Sequence, residues 1–155
     1  MRSSAARLRA LPTQVEAILA TADDTALRAR PGAGEWSAIE VAGHLVDKMQ
    51  VWCGRVERIA REEQPFLPSY DQDSSVREHA YQSADRDALL RALREACERF
   101  AALVETLPAT ALGRGGMHAE MGPITLEQCV WEPLDSAAAH LAQMRAAIAA
   151  ADRHA

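Results

Sequence analysis

Two imidazoles and an indole are the side chains here with chemistry to offer. Trp36 and His44 sit in Gly34-Glu35-Trp36-Ser37-Ala38-Ile39-Glu40-Val41-Ala42-Gly43-His44. Ser37 and Glu40 make an S-x-x-E capping box, which predicts a helix start directly after Trp36. His44 follows two turns in. An aromatic plug, a capped helix start and an imidazole can form one wall of a pocket at the end of a helix bundle. Asp47, one turn after His44, reaches the same face. The second imidazole is His140, in His140-Leu141-Ala142-Gln143, with Gln143 placed to orient a pocket water or a histidine partner. Taken alone, a histidine at the border of an apolar stripe reads first as a hydrogen-bonded packing residue. His79, His118 and His154 read that way, although His118 and Glu120 sit in a loop that can swing over the bundle end. Trp52 and Trp131 read as core or interface anchors.

Other strings fail on their chemistry. Asp71-Gln72-Asp73-Ser74-Ser75 opens like a calcium loop but has Val76 where glycine is needed and Gln82 where the bidentate glutamate belongs. Gly113, Gly115 and Gly116 follow no strand and precede no Lys-Ser/Thr pair, so no phosphate loop is read. His118-Ala119-Glu120 lacks a following P-C-x-x-C, which excludes a deaminase. Cys53, Cys97 and Cys129 are scattered and odd in number, so they read as buried reduced thiols of a cytoplasmic protein, without nucleophilic chemistry.

The elements that must position these residues are helical. The 155 residues suit one domain spanning 1–155, and 48% hydrophobic content dominated by Ala and Leu favours helix over strand. Leu8, Leu11, Val15, Ile18 and Leu19 predict a first helix over 3–22, with Pro12 dividing off a leading turn. The second runs from Ser37 to about Glu63, with His44 beside its apolar stripe. A long polar loop from Pro65 to Gln82 follows. Ser83 is read as the cap of a third helix to about Leu107. A glycine-rich link leads to the capping box Thr125-Leu126-Glu127-Gln128 and a fourth helix to about Ala151, kinked at Pro133. The expected architecture is an all-α four-helix bundle with long loops between helices 2 and 3 and between 3 and 4. A net charge of −5 argues against nucleic-acid binding, and no apolar run long enough for a signal peptide or membrane span is present.

The G-x-W-S start, the histidine two turns into an apolar helix and the final-helix H-L-x-Q segment together resemble the DinB-like superfamily. The resemblance covers nearly the whole chain and implies a small four-helix bundle, some of whose members are metal-dependent thiol transferases. It also implies where a metal would sit: one His on the second helix and two on the last, spaced i and i+4. His44 matches the first ligand and His140 the last, but Ser136 stands where the middle histidine belongs, and a hydroxyl is a poor ligand for zinc or nickel. The candidate metal residues are therefore His44, His140 and Asp47, with Trp36, Ser136 and Gln143 as pocket residues. Asp135 is poorly aimed to fill the gap. Two functions stay open. One is a divalent-metal-dependent thiol transferase or hydrolase acting on a low-molecular-weight thiol or another small molecule. The other is a non-catalytic small-molecule binder or homodimeric stress-related protein with a decayed metal site.

Overall fold

The computed structural model describes residues 1–153, so His154 lies outside the described residues. Four long helices carry the fold: α1 (Arg2–Leu19), α3 (Ala38–Arg61), α5 (Arg86–Thr106) and α6 (Leu126–Asp152), with short helices α2 (Asp24–Arg28) and α4 (Gln72–Glu78) in the connections. The expected all-α bundle is the observed one. Its core joins Leu8, Val15, Leu45, Met49, Phe100 and Met144, all fully buried or nearly so.

Local chemistry sets the boundaries. Both capping boxes form: the Ser37 side chain accepts from Glu40 N–H while Glu40 reaches back, and Thr125 does the same with Gln128. Glu40 is buried and further held by Arg30. The cap of α5 is Asp85, whose carboxylate accepts from Ala88 N–H at 2.7 Å, and not Ser83. Asp71, in the rejected calcium string, caps α4 by accepting from Ser74 N–H. Pro12 does not split α1, which runs through it. Pro133 likewise lies inside a continuous α6.

The loops hold order that helical periodicity did not reveal. Strands β1 (Phe66–Leu67), β2 (Gly115–His118) and β3 (Gly122–Thr125) form a small sheet, in which β1 and β2 are parallel and β2 and β3 antiparallel. Gly116 permits this pairing, since an added Cβ would lie 2.7 Å from the Pro65 carbonyl oxygen. Arg114 fastens the hairpin to the end of α3, donating to the carbonyls of Ile59 and Glu62. The two long loops are thereby tied together over one end of the bundle.

Candidate functional site

Gly43 and Asp47 explain how the first long loop is seated. A Cβ at Gly43 would lie 2.1 Å from the Tyr81 ring, so only glycine lets Tyr81 pack flat on α3. From there the Tyr81 hydroxyl donates to Asp47 Oδ1. Asp47 Oδ2 meanwhile accepts from Ser75 at 2.7 Å and Tyr70 at 3.2 Å, and lies 3.1 Å from His79 Nδ1. The carboxylate is buried and fully occupied with α4 and its flanks. Asp47 is thus corrected from candidate metal ligand to the anchor of the 70–81 segment.

His44 is completely buried on α3. Trp36 covers it with ring centroids 4.9 Å apart, and His140 of α6 meets it edge to face at 4.7 Å. The structure therefore brings together the two imidazoles and the indole singled out in the sequence. Burial, reinforced by His140 and the Lys48 ammonium, pushes the His44 pKa down to about 3, so the ring is neutral at physiological pH. Burial and Lys48 lower His140 as well. His140 Nδ1 lies 3.3 Å from Gln143 Oε1, as the H-L-x-Q spacing suggested. Trp36 and Gln143 also line an open outer groove of about 480 Å³.

The third metal position is not filled. The Ser136 hydroxyl turns back to the Glu132 carbonyl of its own helix at 3.0 Å. Among the described residues, no three His, Cys, Asp or Glu side chains converge as a metal-binding group. The nearby charged group is instead Lys48, one turn after His44 and 7% exposed, whose Nζ lies 3.5 Å from Glu132 Oε1. Two imidazoles with an ammonium beside them do not fit a divalent ion, because the cation repels it and the ligand count falls short.

A cavity of about 130 Å³ lies against this corner, lined by His44, Lys48, Trp52, Arg55, His118 and Glu132 among others. His118, expected as an ordinary packing residue, is 4% exposed and stacks parallel to Trp52, with ring centroids 6.2 Å apart. Arg55 lies over the same indole at 4.3 Å. Trp52 is therefore a wall of the pocket as well as a core residue. Both ring nitrogens of His44, His118 Nε2 and Glu132 Oε2 are buried without a hydrogen-bond partner. Sequence reasoning missed Lys48, Arg55 and Glu132 as pocket residues, and read His118 first as packing, in a loop able to swing over the bundle end. Only the spacing His44, Lys48, Arg55 along one helix face hinted at two of them. The thiols take no part: burial raises Cys53 to about 11 and Cys97 and Cys129 to about 12.

A four-helix bundle whose second and last long helices run antiparallel and bring a histidine each to one pocket, under a loop roof, defines the class. The DinB superfamily profile matches residues 7–147, and the chain belongs to that superfamily. Among solved structures it is similar to YfiT from Bacillus subtilis, described as a probable metal-dependent hydrolase with an unusual four-helix bundle topology. The TM-score is 0.85 at 24% identity, covering 94% of this chain and 83% of YfiT. It is also similar to the mycothiol-dependent maleylpyruvate isomerase, with a TM-score of 0.72 at 12% identity, covering 92% of this chain and 59% of the isomerase. These likenesses establish the fold. No curated protein sequence matches the chain. No helix among the described residues is long and apolar enough to cross a membrane.

Proposed function

We propose that this DinB-superfamily protein binds a small polar molecule in the pocket beside His44 and His140, using its own ionisable side chains in place of a resident metal ion. The observation that carries the reading is that His44, His118 and Glu132, each with a buried side-chain atom lacking a partner, line one cavity. Each such atom costs about 1–3 kcal/mol when nothing satisfies it, so a cavity lined by several is built for polar company. A neutral His44, depressed to about 3, is a hydrogen-bonding group and a feeble general base. That favours binding over turnover.

The metal-dependent alternative, a thiol transferase or hydrolase using zinc or nickel, needs a third ligand that Ser136 and Asp47 do not supply. Metal analysis by mass spectrometry decides between the two. Untagged protein, incubated with zinc and nickel and then dialysed, is expected to retain neither. Near-stoichiometric metal in the wild type, lost in His44→Ala and His140→Ala, would replace this reading with the metal-dependent one.

A further inference from the structure

The chemistry of the ligand follows from which hydrogen-bonding groups the pocket leaves over, given that the pocket binds a small molecule as proposed above. His118 Nδ1 accepts the backbone N–H groups of Glu120 and Met121, each at 3.2 Å, closing the β2–β3 turn. That role puts the ring proton on Nε2, and the Nε2–H is buried with no acceptor. Lys48 engages Glu132 Oε1 at 3.5 Å, and the ammonium has further N–H groups to give. Arg55 uses one Nη to hold the Pro68 carbonyl and keeps other N–H groups beside the cavity. Against these donors stand Glu132 Oε2, an acceptor without a donor, and the neutral His44 ring.

We propose that His118, Lys48 and Arg55 form an anion subsite, and that the ligand is a small carboxylate carrying a hydroxyl or amine. The carboxylate takes the His118 Nε2–H and the Lys48 ammonium. The hydroxyl or amine donates to Glu132 Oε2. The subsite is preorganised, because the turn fixes the His118 ring and Trp52 supports both His118 and Arg55. The cavity of about 130 Å³ equals about four waters at ~30 Å³ each, room for such a head group and little more.

Lactate, acetate, lactamide and inorganic phosphate serve as probes, titrated by calorimetry and by NMR of the histidine ring nitrogens. Lactate is expected to bind and shift His118 Nε2, acetate to bind more weakly, and lactamide and phosphate to do neither. His118→Asn keeps an oxygen for the turn and loses the far donor; His118→Gln restores an N–H near the Nε2 position. The Asn variant and Lys48→Met are each expected to lose about tenfold or more in lactate affinity, while the Gln variant retains most of it. Circular dichroism of each unliganded variant separates a lost contact from a lost fold. Lactamide binding as well as lactate, phosphate binding better, or His118→Asn and Lys48→Met binding normally would each overturn the subsite. So would the absence of any shift at His118 with all four probes. The metal analysis judges the underlying pocket reading independently: stoichiometric zinc sinks that reading, whereas binding of a neutral probe beside His44 sinks only the anion subsite.

Discussion

Lys48 Nζ lies 3.5 Å from Glu132 Oε1 across the gap between α3 and α6, on the same cavity wall as His44. A built-in cation thus stands in the corner where the family resemblance would place a bound one. Ser136→His would restore the i, i+4 pair with His140, and Lys48→Met would remove the opposing charge. The double variant is expected to hold close to one equivalent of zinc after dialysis, where the wild type holds none. Plasma mass spectrometry checks it; a double variant as empty as the wild type would show that backbone geometry, not residue identity, disfavours the ion.

Gly43 and Tyr81 make a contact with no tolerance for a methyl group. Gly43→Ala gains about 1 kcal/mol of helix propensity. It nevertheless displaces Tyr81, so a net loss of about 1–3 kcal/mol is expected from overpacking and the broken bond to Asp47. Urea denaturation measures this directly, and an unchanged or raised midpoint would contradict the packing described.

Asp47→Ala leaves Tyr70, Ser75 and Tyr81 without their shared acceptor. A loss of about 2–4 kcal/mol is expected. Limited proteolysis should then cut between residues 65 and 84 while the long helices still resist. Cleavage distributed evenly along the chain would argue that the segment is held by other means.

Acid should weaken the fold through its buried imidazoles. The His44 pKa is about 3 in the folded protein against about 6.5 unfolded. The unfolded chain therefore binds more protons below neutrality, and the stability present above about pH 6.5 is lost as pH falls toward 3. At pH 5 the loss from His44 alone is about 2 kcal/mol, and lowered values at His140 and His118 add in the same direction. His44→Gln should flatten that pH dependence of the denaturation midpoint between pH 7 and 5. An equally steep curve in the variant would place the titrating group elsewhere.

The bundle was legible because Ser37-Glu40 and Thr125-Gln128 announce helix starts and apolar residues repeat at helical spacing between them. His44 and His140 were singled out through the family resemblance, and the fold brings them together with Trp36, while Gln143 sits one turn along from His140. Asp47 misled. Its helical position was right, but the partners that consume its carboxylate come from a loop, where no periodicity says which way Tyr70, Ser75 and Tyr81 turn. His118 was read first as packing on the same ground: a four-residue strand leaves too short an alternation to read, and its pairing partner β1 is remote in sequence. Nothing in the sequence marks Lys48 and Glu132, because nothing local shows that two helices are neighbours at that level.

The parallel pairing of β1 with β2 has a temporal consequence. All of α5 lies between the two strands, so their pairing closes a long loop and is expected as a late step of folding. His118, supplied by β2, joins His44 and Lys48 at that same late step. The chamber is accordingly among the last parts of the molecule to be completed and among the first to open. Occupancy by a ligand would act as a clasp on the finished chain, slowing unfolding more than it hastens folding.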